Sequence, residues 1–403
     1  QLVLLSPLLH CNLSAPVEEK VIATDASERG CAISAATSLT STGLDFLQAT
    51  RKIEAFGSSE AIPVLIVSLF NGIGGSFRCY DILGVSPMCR IAVECDPGAN
   101  RITQKRWPGT IIINDVKLVD RALVRSWSSK FLRIQEVHVW AGFPCTDLSA
   151  VKFNRANLKG SNSKLFWEIP RIEQLIQEEF GPEVVVKSAV ENVASMDQDA
   201  CKEISEERGS WPYHLDPVHA VPMKRPRFAW VSESLEGFFP DISFHSKRYW
   251  TEVVATADYP STEQWLEPEH EWAGERVGAT FPTCMKAIAR QHPPPRPAGM
   301  EKCDNLTIQR WTEDAFRYPP YQYDWKYIIS TPGTWRLLSA EEKELLLGYG
   351  YKHTEFTWPA SRIKQSPQGF DDARHSYLGD SFSIYSFCIV AAAFVKRFLP
   401  GMS

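Results

Sequence analysis

The chain has 403 residues, of which 44% are hydrophobic and 23% charged, which excludes a disordered polyelectrolyte and leaves room for two or three globular domains. Its formal net charge of −5 excludes a basic field over the whole surface, although a local basic cleft could still bind nucleic acid. None of the ten cysteines forms a Cys-x-x-Cys pair and the apolar run 387–395 is too short to cross a bilayer, so we expect no metal site, a reducing intracellular compartment and no membrane.

Residues 1–58 form a predicted N-terminal segment. The run 21–34 reads as strand, turn and strand, with Asp25 near the end of the first strand. It resembles the first hairpin of retroelement ribonuclease H domains, but the other acidic metal ligands of that family are not found here. An inactive ribonuclease H-like remnant and a chance hairpin are therefore both open. Because Gln1 is not Met and no basic residues precede Leu4 and Leu5, the start is expected to be a cut end rather than a signal peptide.

Residues 59–235 alternate between apolar, β-branched runs and helical patterns. Apolar residues from Phe166 to Ile176 recur at helical spacing, and Gly181-Pro182 ends that pattern. The predicted strands are Val64–Phe70, Ile91–Glu94, Thr110–Ile113, Val137–Ala141 and Val184–Val190. This alternation predicts an α/β fold with a doubly wound, mostly parallel sheet.

The pattern changes after residue 235. Residues 236–335 are rich in Trp, Pro and Tyr with poor periodicity, which predicts a smaller, loop-rich inserted domain. Residues 336–403 are predicted to return to the first domain. There Ser339 and Glu342 form a capping box at the start of a helix, and a last apolar helix is expected near 383–395.

Three groups that could bind a nucleoside follow successive strands. The first strand runs into the glycine turn Phe70-Asn71-Gly72-Ile73-Gly74-Gly75, where glycine allows a close backbone approach. Glu94 ends the second strand, where an acid typically binds a ribose diol. Asp115 and Val116 follow the third strand, and Asp115 could accept from an adenine amino group. Because the Gly-x-Gly-x-x-Gly pattern is missing, a nucleoside cofactor without phosphates is favoured over a dinucleotide.

Two reactive groups follow the remaining strands. Pro144-Cys145 comes after the fourth strand, and exposure of the sulfur to a crevice would allow a thiolate. Glu191 ends the fifth, and a closed apolar pocket would keep its carboxyl protonated and able to donate. The carboxyl ends of parallel strands share one edge, so both should face one crevice. Arg225 and Arg227 are two residues apart and would face the same side of an extended segment, able to hold Glu191 or a base carbonyl.

The ordered set of motifs resembles that of DNA cytosine-5 methyltransferases over roughly residues 63–397. It consists of 70–75, Glu94, Asp115, Pro144-Cys145, Glu191-Asn192-Val193, Arg225-x-Arg227, Arg336-Leu337-Leu338-Ser339 and Gly379-Asp380-Ser381. The stretches 143–149, 164–168 and 227–230 are most similar to the de novo branch of the animal enzymes.

The resemblance implies a class I, Rossmann-like methyltransferase that uses S-adenosylmethionine and acts on double-stranded DNA, in the nucleus if the host is eukaryotic. Cys145 would attack C6 of a flipped cytosine, and Glu191 would protonate or hydrogen-bond N3. Arg225 and Arg227 would position Glu191 and the base. Residues 236–335 would recognise the target. The implied cofactor-binding residues are Phe70, Gly72, Gly74, Gly75, Glu94, Asp115, Val116, Pro144, Asp380 and Ser381.

The chain departs from the family pattern at three positions. Met223 stands where many relatives carry Gln, and Thr146 stands where bacterial members carry Gln. Asp380 replaces the more usual Asn, which adds a negative charge near the cofactor. These departures bear on cofactor affinity and rate, although none removes a catalytic atom. Two alternatives stay open, an RNA methyltransferase of the same fold and a catalytically weak DNA-binding homologue. The Cys-Phe-Thr tripeptide of the tRNA-directed branch is missing.

Overall fold

The structure is a computed structural model that describes residues 61–149, 155–237, 241–255, 299–331 and 334–399, the strands 21–27 and 30–36, and residues 239, 266, 271–272 and 281. By its contacts the chain divides into residues 1–60 with 395–403, and residues 61–394. In the first unit, β1 (Val21–Ser27) and β2 (Gly30–Ala36) pair antiparallel, with Val21 opposite Ala36. The two predicted strands are therefore confirmed, whereas their likeness to ribonuclease H stays a prediction.

The second unit is built on a mixed sheet that has nine strands among the described residues. They are β3 (Ile62–Leu69), β4 (Pro87–Val93), β5 (Ile111–Ile113), β6 (Glu136–Gly142), β7 (Val185–Val193), β8 (Tyr213–Leu215), β9 (Arg227–Val231), β10 (Ile242–Ser246) and β11 (Thr251–Ala255). The order is β10-β11-β8-β9-β7-β6-β3-β4-β5. The run from β7 to β5 is parallel, so the carboxyl ends of its strands lie at one edge.

Helices and a small sheet complete the described part of this unit. The helices are α1 (Gly75–Ile82), α2 (Pro97–Arg106), α3 (Arg121–Lys130), α4 (Glu168–Phe180), α5 (Gln198–Arg208), α6 (Asn305–Glu313), α7 (Ala340–Leu347), α8 (Ala360–Gln365), α9 (Pro367–Asp380) and α10 (Ile384–Val395). The strands β12 (Glu271–Trp272), β13 (Ile329–Thr331) and β14 (Thr334–Arg336) form a separate antiparallel sheet. Within the described residues no single helix is long and apolar enough to cross a membrane; only the last two, taken as one bent pair, pass on length and composition.

The α/β prediction is confirmed, and the five predicted strands are present with ends shifted by a few residues. Central strands are buried on both faces because helices cover the sheet, so β3 reads as a continuous apolar run rather than an alternating one. Residues 64–67 of this strand are fully buried. Helix α4 also follows its predicted pattern, and Gly181, with φ 80°, ends it.

Some elements differ from the sequence prediction. The antiparallel strand β9 joins the sheet beside β7, and its partner β8 was not predicted. Strands β10 and β11 fall within residues 236–335 and yet belong to the large sheet. Short polar-rich strands of this kind carry little periodicity, so pairing with a preformed sheet decides their structure. The boundaries at 58, 235 and 335 stay predictions. The Ser339–Glu342 capping box and the last helix are both present.

In the turn after β3, Gly74 is the position at which an added side chain would be least tolerated. Its φ is +81°, and an added Cβ would stand 2.7 Å from Cη2 of Trp107 and closer still to Cζ3. We expect Gly74→Ala to lower the free energy of unfolding by about 2–4 kcal/mol, because backbone strain and overpacking add. Urea unfolding followed by tryptophan fluorescence measures this change.

Gly109 supplies a matched control for that substitution. Its φ is +88°, but nothing lies within 4 Å of an added Cβ. Gly109→Ala should therefore cost only the backbone strain, about 1 kcal/mol. Equal losses for the two variants would contradict the overlap with Trp107.

Candidate active site

A cavity of about 550 Å³ opens at the carboxyl ends of the parallel strands β7, β6, β3, β4 and β5. Its wall contains most of the residues proposed from the sequence: Phe70, Gly72, Gly75, Glu94, Asp115, Val116, Pro144, Cys145, Glu191, Arg227, Asp380 and Ser381. Gly74 and Arg225 are not part of this wall. The parallel strands and the end of α9 thus bring together side chains that are more than 300 residues apart in the chain.

The glycine turn and Glu94 are joined by hydrogen bonds. The turn holds Phe70 at φ 55° and Gly72 at φ 52°, and a positive φ is strained for Phe70 because it has a side chain. The Gly72 N–H donates to Oε2 of Glu94 (2.8 Å), and the Asp96 N–H donates to Oε1 (2.9 Å). Each carboxylate oxygen can still accept another bond. Glu94 is therefore fixed at the cavity with acceptor capacity for a ligand hydroxyl.

The far end of the cavity is formed by the segment after β5. The Oδ1 atom of Asp115 accepts from the Lys117 N–H (2.9 Å) and begins the short 3-10 helix Val116–Leu118. Asp115 lines the cavity, and because capping uses one carboxylate oxygen, the other keeps the capacity to accept from an amino group.

The dimensions and polar groups of this cavity fit an elongated nucleoside cofactor. Strand β5 lies three positions from β6 in the sheet, so Asp115 and the loop after β6 are separated by roughly 14 Å at ~4.8 Å per strand. The wall also contains Asn71, whose Oδ1 is buried and has no hydrogen-bond partner among the described residues. A buried acceptor of this kind is usually satisfied by water or a ligand. These hydrogen-bond acceptors therefore suit S-adenosylmethionine, with its adenosine near Glu94 and Asp115.

The loop that carries Cys145 is fastened to the neighbouring strand. Asn192 on β7 is buried, and its Nδ2 donates to the Phe143 carbonyl (2.9 Å). The Cys145 carbonyl then accepts from the N–H groups of Leu148 and Ser149, both at 2.9 Å, which makes a tight turn. Cys145 lies three residues beyond β6, and its loop is held by Asn192, which the sequence motif identified only as the neighbour of Glu191.

The Cys145 sulfur is half-buried, and this corrects the expectation of a ready thiolate. Burial raises the pKa of the thiol above its usual value of 9.0, and the Glu191 carboxylate raises it further. Arg227 lowers the pKa of Cys145, Asp380 raises it, and Arg225 lowers it. The resting side chain is therefore a thiol, and a bound ligand or a proton acceptor must favour its ionisation.

Glu191 lies inside β7 rather than at its end, and glycine on β6 makes room for it. Gly142 is its register partner, and a Cβ there would stand 3.0 Å from Oε2 of Glu191. On the other side, Arg227 of β9 is diagonal to Glu191 across an antiparallel pair, so both side chains share one face. The Arg227 Nε lies 2.8 Å from Oε1 of Glu191. Burial raises the pKa of the Glu191 carboxyl, while Arg227 and then Arg225 hold the rise in check.

The two arginines have different partners, contrary to the expectation of a shared role at one face. The Arg225 side chain is 3% exposed, and its guanidinium donates to the carbonyls of Gly379 and Ser381 at 2.8 Å each. These carbonyls belong to the end of α9, so Arg225 ties the wall that contains Asp380 to the segment before β9. Arg227 forms the direct bond to Glu191 described above.

Other wall residues were missed because Tyr349 and Tyr377 belong to no motif, and Phe382 only follows the motif Gly379-Asp380-Ser381. Tyr349 and Phe382 pack beside the glycine turn, since a Cβ on Gly75 would stand 2.6 Å from the Tyr349 hydroxyl and 2.8 Å from Cζ of Phe382. Tyr377 on α9 donates from its hydroxyl to Oδ1 of Asp96. Helical spacing of Ala373, Ser376, Tyr377 and Asp380 is the signal that could have identified this face.

Comparison with known proteins agrees with this geometry. A family model described as C-5 cytosine-specific DNA methylase matches residues 64–218. A solved triple mutant of DNMT2 from Spodoptera frugiperda has a TM-score of 0.50 at 13% identity, covering 82% of this chain and 98% of that chain. At such identity it shows the fold alone, which is that of the class I S-adenosylmethionine-dependent methyltransferases.

Two further solved structures are similar. The Dnmt2 methyltransferase of S. pombe has a TM-score of 0.45 at 11% identity, over 83% of this chain and 99% of that one. The methyltransferase EhMeth of Entamoeba histolytica has a TM-score of 0.47 at 12% identity, over 83% and 98%. The family match lies on the same strands and loops that build the cavity. Residues 64–218 thus match the model of the C-5 cytosine-specific DNA methylases, a family whose methyl donor is S-adenosylmethionine.

Proposed function

We propose that the protein is a DNA cytosine-5 methyltransferase in which Cys145 forms a covalent bond to C6 of a flipped-out cytosine. The observation that carries this proposal is the meeting of Cys145, Glu191 and Arg227 in one cavity, with an ion pair of 2.8 Å between the last two. A sulfur nucleophile beside a carboxyl group suits attack on an electron-poor ring that must also be bound at a ring nitrogen.

The reaction follows from these groups. The Cys145 sulfur attacks C6 as its proton is lost, and the electron pair of the C5–C6 double bond moves onto C5. Glu191 binds N3 and, when protonated, donates to it, which stabilises the added charge. S-adenosylmethionine, when bound, would supply the methyl group that C5 takes up, leaving a neutral thioether product. Loss of the C5 proton to a base then restores the double bond and expels the Cys145 sulfur.

The remaining wall residues would hold the two ligands. We assign Glu94 to the ribose hydroxyls and Asp115 to the adenine amino group, in line with their free acceptor capacity. Arg227 keeps Glu191 oriented toward the base, and Asn192 fixes the loop before Cys145. Arg225 acts one step further away, because it supports the cavity wall at Gly379 and Ser381. A target base must leave its stack to reach this cavity.

DNA is favoured over RNA as the substrate by the sequence around the nucleophile. The stretch 143–149 is most similar to DNA-directed enzymes of the de novo branch, and the Cys-Phe-Thr tripeptide is missing. The matched family model is likewise described as a DNA methylase. Residues 236–335 are proposed to recognise the target, although their strands β10 and β11 extend the large sheet.

Methyl transfer to matched nucleic acids tests the substrate. We expect radioactive methyl groups from S-adenosylmethionine to enter duplex DNA at C5 of cytosine, at least about tenfold faster than an RNA duplex or a folded tRNA, because base extrusion and groove contacts differ between A-form and B-form helices. Conversion-based sequencing of the product reports the position and the context together. Faster labelling of RNA would replace the DNA assignment with the RNA alternative, and binding of DNA without labelling of either would favour the catalytically weak homologue.

A further inference from the structure

The cavity wall contains a carboxylate that the proposed reaction does not use. Asp380 is the last residue of α9 and lines the cavity with Ser381. Its side chain is exposed in the ligand-free protein. Both carbonyls that flank it, those of Gly379 and Ser381, accept from Arg225. The position of Asp380 is thereby fixed relative to the rest of the wall.

An acid at this position is electrostatically unfavourable unless a cation is near. The carboxyl end of a helix carries partial negative charge, so lysine, arginine or histidine is favoured there and aspartate is disfavoured. Arg225 supplies one cation. Asp380 lines the cavity, and a positively charged ligand there would add a further favourable contact.

The charge of Asp380 is felt at the reaction centre. It raises the pKa of the Cys145 thiol, as Glu191 does, while Arg227 and Arg225 lower it. The negative charge of Asp380 that disfavours a thiolate at Cys145 would favour a positive charge near the same position. In the proposed reaction the methyl group goes to the ring atom next to the one that sulfur attacks, so the donor's sulfonium must stand close to Cys145.

We propose that Asp380 makes the cavity select the positively charged methyl donor over its neutral thioether product, S-adenosylhomocysteine. The inference rests on the proposed function, because the place of the sulfonium follows from the attack by Cys145. Four charged side chains act on this centre, Arg225 and Arg227 against Glu191 and Asp380. Without the Asp380 charge, the positive charges of the sulfonium and of the two guanidiniums would be opposed, among these four side chains, by the Glu191 carboxylate alone. The product has the same adenosine and amino-acid ends but no charge on sulfur, so its affinity should barely change.

Equilibrium binding to the full chain tests the proposal without nucleic acid. By titration calorimetry, Asp380→Asn should weaken S-adenosylmethionine by about three- to tenfold and change S-adenosylhomocysteine less than about twofold, the modest size reflecting solvent screening of an exposed carboxylate. An analogue with an ammonium group in place of the sulfonium should follow S-adenosylmethionine. In the unsubstituted protein the preference should shrink as salt is raised.

Two variants make the comparison specific. Asp115→Asn changes another carboxylate of the same wall, at the adenosine end, and should weaken both ligands equally. Asp380→Glu keeps the charge and should keep the preference. Equal weakening of both ligands by Asp380→Asn, or no change in either, would overturn the proposal.

Repeating the titrations with Cys145→Ala protein separates this inference from the proposed function. Binding of the two cofactor forms needs neither methyl transfer nor the nucleophile. If the preference depends on Asp380 but the unsubstituted protein does not methylate, the charge selection stands and the proposed reaction is refuted. Methylation by the unsubstituted protein without such a preference would support the proposed reaction and refute the charge selection.

Discussion

Replacing Cys145 with alanine is expected to abolish methyl transfer, with a loss of at least about 10⁴-fold, since removal of a covalent nucleophile leaves only binding and orientation. The reason is geometric as well as chemical. Cys145 is held in the cavity by the turn after Pro144 and by the Asn192 bond to the loop, and no other cysteine among the described residues is in the cavity except Cys95 at the Glu94 end. Initial rates with labelled S-adenosylmethionine and duplex DNA measure the loss.

The control for this substitution is Cys303→Ala. Cys303 is half-buried in the segment before α6 and lies outside the cavity, so its removal should leave the rate unchanged. Calorimetric binding of S-adenosylmethionine shows that the Cys145→Ala protein is folded, because the adenosine end of the cavity does not involve the sulfur. A Cys145→Ala protein that binds the cofactor and still methylates at the original rate would refute the covalent role.

A trapped intermediate gives a positive result that the loss of activity cannot give. Fluorine at C5 of the target cytosine replaces the proton that must leave, so the bond between sulfur and C6 cannot be released after methyl transfer. A duplex with 5-fluorocytosine should therefore remain attached to the protein in denaturing gels when the cofactor is present. Peptide mapping should place the attachment at Cys145, and attachment to Cys95 would move the active site.

Changing Glu191 to glutamine is expected to slow methyl transfer by about 10²–10³-fold with cofactor affinity retained, because glutamine cannot donate a proton to N3 and pairs weakly with Arg227. The size of the effect depends on burial. Glu191 titrates well inside the protein, so its pKa is raised, and the protonated acid persists to a higher pH than in an exposed glutamate. Its proton-donating form is lost as pH rises through that raised pKa.

Glu173→Gln is the matched control. Glu173 also forms an arginine pair, with its Oε2 2.6 Å from Nη1 of Arg208, but it lies on α4 outside the cavity. Its substitution should leave methyl transfer unchanged even if the protein is less stable. If both variants lost activity to the same extent, the effect of Glu191→Gln would reflect general damage to the sheet.

Alkylation of Cys145 provides a second measurement on the same variant. The Glu191 carboxylate raises the pKa of the Cys145 thiol, so Glu191→Gln should move the midpoint of iodoacetamide modification to lower pH. Arg227 lowers that pKa, so Arg227→Met should move the midpoint to higher pH. Shifts in the same direction for both variants would contradict the arrangement of these charges around the sulfur.

The fold class and most of the site follow from local sequence. Buried β-branched runs followed by Glu94, Asp115, Cys145 and Glu191 indicate strands with polar groups near their carboxyl ends, and a parallel sheet places such ends at one edge. Periodicity therefore identified the strands, and the residue types identified the chemistry. The glycine turn was also evident, because positive φ at Gly72 and Gly74 leaves little choice of residue.

The tertiary structure alone decided which groups close the site and in which protonation state they rest. Tyr349, Phe382 and Tyr377 reach the glycine turn and Asp96 from segments about 270 to 310 residues away, and no local pattern shows which distant segment each of them contacts. The same is true of the bond from Arg225 to the end of α9. The sequence placed a sulfur beside an acid, but the raised pKa of Cys145 depends on its burial and on four surrounding charges, which exist only once the chain has folded.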